Sequence, residues 1–186
     1  IVSEVLGVHI SQINVIQGNS LEIAKGSGTG GSRSMPVGGN ALHLAAKKFI
    51  EHTKEALANY LNTTSDKILY NEGFFQFNDK QFSLSNLTQL FNSNEVLKVD
   101  ASWSPNEGTF TYPNGTHICE LEIDKFTGHV KILNYTVVDD FGKVINPMLL
   151  EGQVHGGIAQ GIGQALFEET IYDDETGQLL SGSFMD

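Results

Sequence analysis

The feature that most restricts this chain is a run of glycines inside a helical pattern. From Gly152 to Gly163, five glycines interrupt a segment whose apolar residues keep a spacing of three and four: Val154, Ile158, Ile162, Ala165 and Leu166. A glycine in a helix interior costs about 1 kcal/mol relative to alanine, so five in one helix need a compensating reason. Close approach of another backbone or of a ligand is the usual one. Gly152 and Gly156 stand four apart, as do Gly157 and Gly161, forming two small-residue edges. Gln153 and Gln160 are seven apart, nearly one above the other, so a single bound group can meet both. Amides donate and accept, which suits a heterocycle with mixed hydrogen-bonding edges. Tight helix packing and ligand contact explain the pattern equally well at this point. Asn146-Pro147 marks the helix start, and the pattern runs to about Glu169.

A second concentration of glycine lies upstream, in residues 26–40, with six glycines and one proline in fifteen positions. The composition predicts a loop there. It follows a strand predicted over Gln12–Gln17, with Ile13 and Val15 on one face, and precedes a long amphipathic helix over Leu42–Leu61 with Asn40 as N-cap. Within Gly28-Thr29-Gly30-Gly31-Ser32-Arg33-Ser34 the glycines let backbone N–H groups approach an anion, and the hydroxyls and Arg33 add donors. No Lys-Ser/Thr follows at P-loop spacing, and Gly28–Ser34 by itself does not spell G-x-G-x-x-G. The plain alternative is a flexible surface loop.

The remaining chain mixes strands and helices without regular alternation, which predicts an α+β (irregular α/β) class with a mixed sheet and antiparallel hairpins. Ile1, Val2, Val5 and Leu6 read as the tail of an amphipathic helix ending at Gly7, and aromatic runs from Lys67 to Ser83 as hairpin material. Ser85 is a candidate cap for a short helix over Leu87–Phe91, and Glu95–Trp103 a candidate strand. The clearest β signal is His117–Asp124, a turn at Lys125–Gly128, and Val130–Val138. It sets Glu120 and Glu122 on one face and Cys119, Leu121 and Ile123 on the other, with Cys119 expected as a small buried residue. A turn at Asp173–Gly177 leads to a last predicted strand over Leu179–Asp186.

Six scattered histidines and one cysteine exclude a disulfide framework and a multi-cysteine metal site, and no histidine pair has zinc spacing. Asp139-Asp140 before Gly142 reads as a turn cap. Eleven basic against twenty-two acidic residues give −11, which argues against nucleic acid or an anionic membrane as partner. No apolar run approaches a membrane span, and no signal peptide is visible, so a soluble cytoplasmic protein is the expectation. The 186 residues suffice for one domain with a sizeable core, or two very small ones.

Taken in order, the motifs resemble one family. Gly28–Ser34, Gly115–Asp124 with Thr127-Gly128, Val137–Pro147, Glu151–Leu166 and Ser183–Asp186 are similar to segments of the large, molybdopterin-binding subunits of molybdenum hydroxylases. These are xanthine dehydrogenase, aldehyde oxidase and, in wording nearest to this chain, bacterial carbon monoxide dehydrogenase. The resemblance implies that residues 1–186 are a partial molybdopterin-binding domain, truncated at both ends. It implies a molybdenum cofactor, molybdopterin or its cytosine dinucleotide, with Gly30, Gly31 and Ser32 in the loop that wraps it and Gln153 and Gln160 on the helix that hydrogen-bonds it. It further implies oxidation or hydroxylation of a small substrate (CO, an aldehyde or an N-heterocycle) with water as oxygen source. The implied partners are the remainder of the large subunit and iron–sulfur and FAD subunits or domains.

Other family elements lie outside this sequence: a downstream Gly-Glu motif carrying the catalytic base, and an upstream Gly-Gln-Gly loop. The resemblance therefore implies no catalytic residue here and no activity from this chain alone. Glu151, Glu168 and Glu169 fit a helix end and a solvated face. A stand-alone binding or assembly module that has kept the fold is the alternative, and self-association of the chain through Phe184 and the opening helix is a further expectation.

Overall fold

In a computed structural model, described for residues 1–23, 26, 28–91, 94–105 and 111–183, the chain divides into two compact units, Ile1–Thr111 and Tyr112–Asp186. The class is α+β as expected, and both sheets are antiparallel throughout.

The first unit is built around a three-stranded meander. Strands β1 (Leu69–Asn71), β2 (Phe74–Phe77) and β3 (Lys80–Ser83) pair in the order β1-β2-β3. The β1–β2 turn takes left-handed angles at Glu72 and Gly73, the twist a two-residue hairpin loop requires. Tyr70, Phe75 and Phe82 stand side by side in register on one face. That face meets helix α2 (Asn40–Leu61) and helix α3 (Leu84–Leu90), and Leu57, Ala58, Ile68, Phe75 and Leu87 form the buried cluster. Helix α1 (Val2–Leu6) ends at Gly7 as predicted, with φ 57°. A side chain at Gly7 would run into the backbone of Glu72 and Gly73, and the Tyr70 hydroxyl donates to Leu6 O at 2.6 Å. The helix end is thus fastened to the hairpin turn.

Several local expectations in this unit are overturned. Gln12–Gln17 is no strand: a 3-10 turn at Ile10–Gln12 replaces its start, closed by a reciprocal cap between His9 and Gln12, and Val15 and Ile16 are exposed. Alternation there finds no partner strand to hydrogen-bond. The loop over 26–40 is cut short because Ser34–Gly39 winds as a π-helix into α2. Asn40 is consequently the first residue of α2 rather than its cap, and its Nδ2 donates to Pro36 O at 2.6 Å. Ser83, not Ser85, caps α3, accepting from Asn86 N while the Asn86 side chain answers at Ser83 N. Glu95–Trp103 begins with a 3-10 turn at Asn94–Leu97 and continues without strand pairing. The buried stripe of α2 runs through Ala46, Thr53 and Leu57, while Leu42 and Tyr60, which follow the same spacing of three and four in the sequence, are exposed. Thr53 was missed because a hydroxyl signals solvent.

The second unit is a long hairpin followed by a helix. Strand β4 (Asn114–Ile123) pairs with β5 (Val130–Asp140), with a register shift between Glu120 and Leu121 that leaves Leu133 as the extra residue. The bulge keeps the apolar side chains in phase. On β5 the half-buried positions are Val130, Ile132, then Tyr135, Val137 and Asp139, stepping by two on either side of the bulge. Cys119, Leu121 and Ile123 share that face as predicted, but Cys119 is exposed rather than buried. Helix α4 (Pro147–Leu166) starts where expected, with Asn146 Oδ1 accepting from Leu149 N, and ends three residues before Glu169. Of the last predicted strand, one bridge between Tyr172 and Leu179 forms, and Phe184–Asp186 lie outside the described residues.

Asp124-Lys-Phe-Thr-Gly128 and Asp173-Asp-Glu-Thr-Gly177 repeat one turn. In each, the aspartate Oδ1 accepts the threonine N–H at 2.8 Å and the glycine is left-handed. The Thr127 and Phe126 amides hold the Asp124 carboxyl below its ordinary value, and the Thr176 hydroxyl and amide do the same for Asp173.

Two predictions follow from this packing. Leu57→Ala is expected to cost the first unit about 2–5 kcal/mol. Thr53→Val is expected to raise its stability by about 1–3 kcal/mol, because the fully buried Thr53 Oγ1 has no hydrogen-bond partner among the described residues. Urea unfolding of both variants checks the opposite signs. A lowered folded-state pKa means that Asp124 stabilises its turn above the unfolded carboxylate value and loses this as pH falls through the folded one. Asp124→Asn should flatten that acid limb in amide-exchange measurements at Phe126 and Thr127, leaving the Asp173 turn unaffected.

Candidate functional site

The sequence-predicted site residues fall in both units, and each group has its own geometry. In the first unit, Gly28, Gly31 and Ser32 take left-handed angles, with φ 67°, 60° and 55°, and Arg33 returns to the right-handed region at φ −92°. A left-handed residue followed by a right-handed one turns successive N–H groups toward one concavity, the arrangement that holds anionic oxygen. The loop is closed by a 2.8 Å bond between the Thr29 and Ser34 hydroxyls and by Arg33 donating to Gly28 O at 3.5 Å. The winding that becomes α2 begins at once at Ser34, adding a helix N-terminus. Residues 28–35 are exposed, and a Cβ built on Gly28, Gly30 or Gly31 meets nothing within 4 Å. A phosphate-bearing group fits this set of donors and this open ground.

In the second unit, α4 has two faces of different character. Leu150, Val154, Ile158 and Ile162, four apart, are its half-buried stripe. At 100° per residue, Gln153 and Gln160 lie within about 20° of each other and about 130° around the helix from that stripe. Both are exposed. Gly152, Gly156, Gly157 and Gly161 meet nothing within 4 Å of where a Cβ would stand, so these glycines serve no packing within the described residues. Of the two explanations for them, tight helix packing is not observed among the described residues. An open, amide-bearing, glycine-paved face is what a planar heterocycle with donors and acceptors along its edge requires.

Other expectations are placed as follows. Glu151, Glu168 and Glu169 are exposed, as anticipated. Asp140 caps its turn, accepting Gly142 N at 2.8 Å, but Asp139 does not: its Oδ2 lies 3.2 Å from His117 Nε2. That cross-strand pair was missed, since its members are 22 residues apart and only the hairpin register joins them. No group of three or more His, Cys, Asp or Glu placed to hold a metal occurs among the described residues. No helix among them is long and apolar enough to cross a membrane.

Comparison with known proteins decides which family these segments serve. The pattern of the molybdopterin cofactor-binding domain matches residues 1–186. The chain belongs to the molybdopterin cofactor-binding domain family. It is 32% identical to the nicotine 6-hydroxylase large subunit of Paenarthrobacter nicotinovorans and 31% identical to the carbon monoxide dehydrogenase large chain of Hydrogenophaga pseudoflava. Each similarity covers 100% of this chain and 24% of the relative, so the chain spans about a quarter of their length. Its fold matches a crystal structure of Cu,Mo-CO dehydrogenase in the carbon monoxide reduced state with TM-score 0.80 and 31% identity, covering 100% of this chain and 24% of that one. The resemblance drawn from the motifs is therefore correct, including its leaning toward carbon monoxide dehydrogenase, and the cofactor class is molybdopterin.

The left-handed loop gives a direct test. Gly31→Val places a β-branched residue at φ 60° and is expected to lose about 1–2 kcal/mol, read as a lower urea midpoint for the first unit. An unchanged midpoint would mean that the loop does not hold the described conformation.

Proposed function

We propose that this chain is part of the cofactor cradle of a molybdenum-dependent oxidoreductase large subunit. Gly30, Gly31 and Ser32 would hold the phosphate-bearing end of the cofactor through backbone N–H groups, and Gln153 and Gln160 would bond the edge of its pterin. The observation that carries this reading is the exposed glutamine–glycine face of α4, bare of packing in a chain whose family binds molybdopterin. When bound, the cofactor supplies a two-electron redox centre, suited to oxidising or hydroxylating a small substrate with water as the oxygen source. The chain's own residues do something narrower. The loop offers preorganised donors to an anion, so little reorganisation is needed on binding. The glutamines orient the heterocycle, and the glycines let it approach the helix backbone.

No residue of this chain is assigned as an acid, a base or a nucleophile. Turnover accordingly requires the remainder of the large subunit together with iron–sulfur and FAD partners that carry electrons away, and the isolated chain is expected to be inactive.

Gln153→Ala in the large subunit removes the proposed amide contact while leaving the packed stripe of α4 intact. The loss should be about 1–2 kcal/mol of cofactor affinity, or about five- to thirtyfold. Pterin released on denaturation, measured per protein after dialysis, gives the readout, with circular dichroism confirming the fold. Gln160→Ala should act in the same direction. Full cofactor retention in both variants would overturn the assignment of this face.

A further inference from the structure

We propose that Asp139, seated over Gly115 and held by His117, is a positioning residue for α4, the helix that presents Gln153 and Gln160. Its functional consequence rests on the cradle reading above, but its geometry stands within the second unit alone.

Asp139 lies opposite Gly115 in the hairpin register, and a Cβ on Gly115 would overlap both Asp139 Oδ1 and Val138 O. Glycine is therefore required at 115 by the strand register itself, since the Val138 carbonyl and the Asp139 Cα also stand too close for a side chain. The carboxylate is then drawn along the strand by His117, whose Nε2 lies 3.2 Å from Asp139 Oδ2. On the far side of the imidazole, Nδ1 stands 3.4 Å from the Tyr135 hydroxyl, and the two rings meet edge to face. With the aspartate ionised and the imidazole neutral, the chain runs in one direction. Tyr135 O–H donates to Nδ1, and Nε2–H donates to the carboxylate, which fixes one tautomer of His117. The Asp139 side chain is 13% exposed, so its seat is largely enclosed.

What Asp139 holds is the path into α4. It lines a cleft of about 600 Å³ whose other wall includes Leu150, Val154 and His155 from the first turns of that helix. Only residues 141–146 separate β5 from α4, and they are tied at both ends. Asp140 Oδ1 accepts Gly142 N at 2.8 Å, with Gly142 left-handed, and Asn146 Oδ1 accepts Leu149 N at 3.2 Å. A connection this short and this constrained passes any displacement of the β5 end on to the start of α4. Gln153 lies in the second turn of that helix and moves with it.

The test compares Asp139→Leu with Asp139→Asn in the isotopically labelled chain. Asparagine keeps an oxygen that accepts from His117 Nε2, whereas leucine keeps only bulk. Wild type and Asp139→Asn should show His117 as the Nε2–H tautomer by nitrogen NMR, with the backbone amide signals of Gln153 and Gln160 in the same positions. Asp139→Leu should lose the single tautomer and shift both glutamine signals. Should Asp139→Leu fail to fold, His117→Leu removes the same bond from the exposed side and should shift the same signals. Unmoved Gln153 and Gln160 signals in a folded variant that has lost the tautomer would overturn the proposal. In the cofactor-loaded large subunit, Asp139→Leu should lose as much pterin as Gln153→Ala, and Asp139→Asn should retain it. If Gln153→Ala keeps its cofactor, the cradle reading fails whatever Asp139 does. If Gln153→Ala loses cofactor while Asp139→Leu keeps it and leaves the helix signals in place, only the positioning role fails.

Discussion

The second unit depends on one hairpin register. Its described residues are half-buried at best, so no enclosed core among them selects the fold there. Selection falls to the ten paired positions of β4 and β5, where a slip of one residue would send every side chain to the other face. The register puts Gly115 under Asp139, brings His117 within reach of that carboxylate, and lines up the apolar row from Ile123 to Val137. The first unit works differently. There Phe75, Leu57 and Leu87 are fully enclosed, and helices and meander are held by ordinary close packing.

The parts of this architecture legible in the sequence were those in which local pattern and final environment agree. The β4–β5 alternation, the start of α4 at Asn146-Pro147 and the Gly7 helix end each carry their own signal, and each is observed. The segments that misled, Gln12–Gln17 and Glu95–Trp103, have strand-like composition but no neighbour to pair with. Strand formation is a property of two segments, and a single one cannot announce its partner. Asn40 and Thr53 failed for a related reason. Asn40 has the chemistry of a cap, but the π-helical turn continues upstream past it. The hydroxyl of Thr53 signals solvent, and the packing of the meander encloses it.

Of the candidate site, the two glycine-rich segments stood out because their composition makes no sense for isolated elements. Their function came from order along the chain, since five motifs in sequence specify a family where any one of them is weak. The His117–Asp139–Tyr135 chain was invisible by the same logic in reverse. Each member is unremarkable where it stands, and only the cross-strand register makes them neighbours.

The bulge at Leu133 carries a consequence for how such a hairpin can change over generations. On the Leu133 side of the strand, the half-buried row is shifted by one residue relative to its continuation toward Asp139, so the two halves of β5 are out of step in sequence while in step in space. Removing Leu133 alone would cancel the bulge and restore a regular ladder, and the row Val130, Ile132, Tyr135, Val137 and Asp139 would then step by two without a break opposite the odd-numbered positions of β4. The middle of this hairpin can therefore lose the bulged residue without turning either half over, whereas a slip of one residue in the pairing would turn over a whole strand.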